Sequence, residues 1–147
     1  MTSLEDRIAI EDQLYRYASS IDSGNPDALY DVLHPELWAQ YGNAEPAESA
    51  DTVIGWIREA TKNCVWQHHL LSVYHVDVEG DSASALVYHT SYQKFEGDDD
   101  VCFLVGRYHD ELVRHEGSWK IKKLVFEIMY GERRADVVEP RLQQVLE

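Results

Sequence analysis

The sequence predicts an α+β fold in which N-terminal helices pack on a strongly curved, mainly antiparallel sheet, forming a cone. Three observations lead there. Apolar residues recur at helical spacing up to about Lys62, and a period of two takes over from Val65. The turn signals Glu79-Gly80-Asp81, Glu96-Gly97-Asp98-Asp99 and Glu116-Gly117-Ser118 then divide the chain into long strands. Finally, 147 residues without a repeat, low-complexity tract or linker make one domain, 1–147.

Ser3 followed by Asp6 approximates a capping box. Leu4, Ile8, Leu14, Tyr15, Ala18 and Ile21 follow at helical spacing, so a helix is expected from about residue 4 to Ser20, ending near Gly24. Asn25-Pro26 suits the start of a second helix. Its buried face is Ala28, Leu29, Val32 and Leu33, and it stops before Pro35. Leu37–Tyr41 reads as a short strand and 42–50 as a loop. A third helix, Asp51 to Lys62, turns Val53, Ile54 and Ile57 inward. Four strands follow: Val65–Glu79, Ser82–Phe95, Val101–His115 and Trp119–Tyr130. The tail from Val137 to Leu146 reads as a short helix. Strands joined by short turns form an antiparallel meander. A twisted sheet of long strands curls. Helices on its concave side leave a closed-ended cavity suited to an apolar ligand.

The net charge of −14 repels phosphate backbones and anionic lipid, so neither nucleic acid nor a membrane is an expected partner. No apolar run reaches the ~18 residues of a membrane span. With Cys64 and Cys102 lacking metal-type spacing, the expected setting is cytoplasmic and reducing. The Asp98–Asp100 run lacks the alternating ligands of an EF-hand and reads as a solvated turn. Neither a metal nor another cofactor is expected.

Two stretches carry chemistry. Asp22 lies at the C-terminal end of the first helix, where a carboxylate faces the negative end of the macrodipole and needs a partner. Tyr17 precedes it by five residues. His68 and His69 open the first long strand, and alternation sends one of them into the cavity; parity alone leaves open which. His75 and Asp77 share the parity of His69 further along, while Arg107 and His109 share a face of the third long strand. His34 and His115 read as surface residues, and Trp56, Trp66 and Trp119 as packing.

The stretches YASSIDSGNPDALYDVL, HLLSVYHVDVEGD and GRYHDELV…GSWKI resemble SnoaL-like proteins of the NTF2-like superfamily over nearly the whole chain. The nearest patterns are those of the lyases scytalone dehydratase, bile-acid 7α-dehydratase and hexachlorocyclohexane dehydrochlorinase. The resemblance implies an Asp–His pair at Asp22 and His69, with Tyr17 and Tyr41 as partner tyrosines. It implies a pocket lining of His89, Tyr108, Trp38 and Met129. The chain departs from scytalone dehydratase in two places. That enzyme's second histidine lies a few residues beyond the place of His89, where this chain offers only His89 or Lys94. Its Ser and Asn on the third long strand fall near Gly106 and Tyr108.

A histidine base oriented by a carboxylate, with a phenol to polarise a carbonyl, is the equipment for eliminating water beside that carbonyl. The expected function is therefore that of a cofactor-independent lyase. It would be a dehydratase of a hydrophobic hydroxylated carbonyl compound: polyketide, aromatic or steroid-like. An isomerase or cyclase would use the same base. A small-molecule-binding or assembly subunit would need the pocket and not the base. A homo-oligomer, dimer or trimer, is implied in each case.

Overall fold

The computed structural model describes residues 3–136; the expected tail helix from Val137 to Leu146 lies outside them. Helix α1 spans Leu4–Asp22. Ser3 caps it, its Oγ accepting from the Asp6 amide at 3.0 Å. Asp6 then receives Trp119 Nε1 at 3.2 Å and pairs with Arg114, tying the helix start to the sheet. The other end closes as a Schellman turn. Gly24 takes φ +69°, its amide donates to Ile21 O, and the Asn25 amide donates to Ser20 O. The helix therefore runs two residues past Ser20 and finishes on Asp22.

The expected second helix is a single 3₁₀ segment, Pro26–Asp31. Pairing with the sheet ends it early: Val32 O accepts from Ile121, and the chain is already extended at Leu33. Strand β1 thus covers Leu33–Tyr41, longer than Leu37–Tyr41. It tolerates Pro35 because it is an edge strand whose register breaks between Leu33 and Trp38. Helix α2, Ala50–Thr61, is capped by Ser49 and buries Val53 and Ile54.

Strands β2 (Cys64–Glu79), β3 (Ser82–Phe95), β4 (Asp100–His115) and β5 (Ser118–Ala135) form the meander. The order across the sheet is β1-β5-β4-β3-β2, with only β1–β5 parallel. The core lies between helices and sheet, around Ile10, Leu14, Leu29, Leu37, Ile54, Leu112, Trp119 and Leu124. Arg133 on β5 pairs with Asp98 and Asp100, so the acidic turn is held by a cation of the neighbouring strand.

Several side chains depart from the expected faces. A bulge between Val73 and His75 shifts the parity of β2, so Val76 points inward while His75 and Asp77 are exposed. Trp56 and Trp66 are exposed, leaving Trp119 as the buried tryptophan of those three. His34 and His115 stack edge to face at 4.5 Å. Among the described residues, no helix is long and apolar enough to cross a membrane.

Candidate active site

The Schellman turn ends α1 where its last side chain, Asp22, meets the start of β2. One carboxylate oxygen, Oδ2, accepts the His69 amide at 2.8 Å, and Oδ1 lies 2.5 Å from His69 Nδ1. The acid at the unfavourable helix end has thereby gained two donors. With a carboxylate at Nδ1, the ring proton sits there and Nε2 keeps its lone pair. Gln67 Nε2 donates to Ile21 O at 2.7 Å, and Gln93 Nε2 donates to Gln67 Oε1 at 3.0 Å. This side-chain ladder fastens the helix end to β2 and β3. Of the two adjacent histidines, His68 is exposed and His69 is the inward one.

His69 lines a cavity of about 170 Å³ between the layers, together with Tyr17, Tyr41, His89, Tyr108 and Phe126. Ile57, Ala60 and Thr61 of α2 form one side, and Ser91, Gln93 and Leu104 another. Tyr17 Oη and Tyr41 Oη are 2.6 Å apart, although one comes from a helix and the other from an edge strand. The Tyr108 ring stands edge-on to Tyr17 at 5.7 Å. Burial pushes all three phenols well above their ordinary range, so they remain protonated and able to donate.

His89 is buried, its ring 5.3 Å from that of His69 and 4.8 Å from Phe126. Burial first, and then the neighbouring His69, pushes its imidazolium down to about 4. The ring is therefore neutral at pH 7. In the unfolded chain it would titrate near 6.5, so stability is lost as pH falls from about 6.5 through 4. His89→Gln is expected to reduce the stability lost between pH 7 and pH 5 by roughly 1–3 kcal/mol, read from urea melts at the two pH values.

Two expected lining residues lie elsewhere. Leu37, Ala39 and Tyr41 face inward on β1, so Trp38 has the opposite parity and does not reach the cavity. Met129 is 50% exposed, at a bulge where β5 skips one partner between Ile128 and Tyr130. Phe126 takes the wall position on β5 instead. The sequence reading also missed Ser91, Gln93 and Asp110. Asp110 is 4% exposed, one step deeper than Tyr108 on the same face, and its Oδ1 has no hydrogen-bond partner. Desolvation pushes this carboxyl well above the usual carboxylate range and favours its neutral form.

Roomier hollows occur elsewhere: about 390 Å³ beside His75 and His109, and about 480 Å³ beside Gly42 and Glu127. His109 lines the first and Glu127 the second, and the two side chains pair across the outer face, both about half exposed. The smaller cavity has the sheltered Asp–His pair and the buried aromatic walls, so chemistry and not size selects it. Among the described residues, no three His, Cys, Asp or Glu side chains converge to hold a metal.

Helices packed on a curled, mostly antiparallel sheet, with the site between the layers, define the NTF2-like class of domain. The chain belongs to the SnoaL-like domain family, whose model matches residues 2–125. An uncharacterized protein of Mycobacterium tuberculosis is 28% identical over 127 residues, 85% of this chain and 86% of the relative. A candidate scytalone dehydratase of Novosphingobium aromaticivorans superposes with a TM-score of 0.82 at 19% identity, over 92% of this chain and 97% of that one. A hexachlorocyclohexane dehydrochlorinase of Novosphingobium barchaimii gives 0.81 at 16%, over 93% and 97%. A candidate aromatic ring hydroxylase of Novosphingobium aromaticivorans gives 0.83 at 24%, over 90% and 96%. At these identities the likeness is one of fold, and the fold hosts unlike chemistries.

Proposed function

We propose that the protein is a cofactor-independent lyase, a dehydratase that removes water from a hydrophobic hydroxylated carbonyl compound. The observation that supports it is the 2.5 Å contact of Asp22 with His69 Nδ1, in a cavity that Tyr17 and Tyr41, paired hydroxyl to hydroxyl, also line. In this reading His69 Nε2 takes the proton beside the carbonyl. The C–H electrons move into an enolate, whose oxygen receives a hydrogen bond from the tyrosine pair. Asp22 stabilises the imidazolium. The enolate then re-forms the carbonyl and expels the β-hydroxyl. That group leaves as water with the proton held on Nε2, and a conjugated double bond remains. Two of the structural relatives carry names of elimination enzymes, a dehydratase and a dehydrochlorinase, which fits this step.

The working form is proposed to be a homo-oligomer that covers the outer sheet face, where Leu70, Tyr74 and Tyr130 are more than half exposed. The test of the reaction is incubation of the protein with a panel of β-hydroxy ketones in D₂O. Loss of water, with deuterium entering the α-carbon of recovered substrate, is the expected result. A panel that shows neither removes the lyase reading. Exchange without water loss redirects it to an isomerase or cyclase.

A further inference from the structure

The inward positions of β3 begin apolar: Ala83, Ala85 and Val87 are all buried. The next three are His89, Ser91 and Gln93, and all three line the cavity. Polar side chains in such places need partners. Gln93 has one, since its amide nitrogen donates to Gln67 at 3.0 Å. Ser91 has none: it is 2% exposed, and among the described residues nothing hydrogen-bonds its hydroxyl. His89, two residues back, is buried with its Nδ1 also unpartnered.

Ser91 stands directly opposite His69 in the β2–β3 pairing. Side chains paired in this way share a face, with Cβ atoms about 4.5–5.5 Å apart. Asp22 occupies Nδ1 of His69, so Nε2 is the nitrogen left for the cavity. In the proposed reaction Nε2 takes the α-proton and then hands it to the departing hydroxyl. The departing oxygen must come within hydrogen-bond reach of His69, and so beside its cross-strand neighbour. A serine O–H there donates to that oxygen as the C–O bond breaks and negative charge grows on it. The proton that completes the water comes from Nε2, and Ser91 keeps its own. We infer that Ser91 binds the leaving hydroxyl of the substrate. The inference rests on the lyase reading for the identity of that oxygen as a leaving group; the hydroxyl subsite itself is tested without turnover.

The probes are pivalophenone and β-hydroxypivalophenone, which differ by one hydroxyl. Neither has an α-hydrogen, so neither can be consumed by the proposed reaction. In calorimetric titration the wild-type protein is expected to bind the hydroxy ketone about three- to ten-fold more tightly, the net worth of one neutral hydrogen bond. Ser91→Ala is expected to lower that ratio about ten-fold, because the ligand hydroxyl then lacks its partner, and to leave the affinity for pivalophenone within about two-fold. Ser91→Thr keeps the hydroxyl and is expected to restore the ratio. Circular dichroism and a cooperative melt show that each variant is folded. A wild-type preference for pivalophenone, no binding of the hydroxy ketone, or a ratio unmoved by Ser91→Ala overturns the inference. On any β-hydroxy ketone that loses water in the D₂O panel, Ser91→Ala is expected to slow water loss about ten- to hundred-fold while deuterium entry at the α-carbon stays within about two-fold. Equal slowing of both steps also overturns it. A Ser91-dependent hydroxyl preference found together with a panel that shows no elimination counts against the lyase alone. Elimination without that preference counts against Ser91 alone.

Discussion

If the protein is the proposed lyase, replacing His69 with alanine is expected to lower turnover by about 10²–10⁴-fold while the protein stays folded, because the change removes the proposed general base and little of the core. His69 stands at the cavity wall with its side chain 10% exposed, outside the hydrophobic core. Asp22→Asn is the more discriminating companion. The two oxygens of Asp22 receive two donors, the His69 amide and Nδ1–H. An amide side chain has only one acceptor, so its NH₂ must face one of them. If it faces the ring, Nδ1 has to accept, the proton moves to Nε2, and the lone pair that the proposed base step needs is lost. If it faces the backbone, a sheltered amide is left unpaired, at a cost of about 1–3 kcal/mol. The first outcome lowers kcat by about 10²–10⁴ with little change in KM, as a wrong tautomer does in other triads. Nitrogen-15 shifts of the His69 ring distinguish it from the second, which shows as a lower melting temperature. A folded Asp22→Asn protein with wild-type kcat would mean that the pair does no chemistry.

The frame of this molecule was legible because its punctuation is local. Gly24 ends α1 by taking a left-handed conformation, and Gly80, Gly97 and Gly117 do the same at the three hairpin turns. Those residues can be read without knowing what packs where. The meeting of Asp22 with His69 was legible only through resemblance, since alternation allows His68 equally. What stayed hidden depends on non-local register. A bulge in β2 turned His75 and Asp77 outward. Nothing in an isolated strand marks a bulge. Trp38 is different, because counting back from an inward Tyr41 puts it on the outer face by period two alone. Phe126 required knowing that Tyr108 stands beside it on the adjacent strand. Asp110 shares its parity with Tyr108 and Leu112, both buried, and that alternation was the available signal. Its charge argued for the surface, and the parity outweighed the charge.

Asp110 also gives a stability prediction of definite sign. In the folded protein its carboxyl keeps its proton far above 3.8, because burial leaves the charged form unsolvated. In the unfolded chain it ionises near its ordinary value. Between those two values the native state holds one more proton than the unfolded state, so stability falls as pH rises from about 4. The benefit is complete below the unfolded value and shrinks steadily toward neutrality. His89 tilts the curve the other way between 4 and 6.5, so the wild-type profile is a sum of opposing slopes. Asp110→Asn isolates one of them, since an amide is neutral in both states. The difference in unfolding free energy, variant minus wild type, is expected to grow by about 1–3 kcal/mol between pH 4 and pH 7. The absolute level at either pH is less informative, because the amide brings hydrogen-bonding needs of its own. Urea melts of both proteins at pH 4, 5.5 and 7 make the comparison. A difference that stays flat would show Asp110 to be ionised in the folded state, and a buried anion beneath Tyr108 would then oppose enolate formation in this cavity.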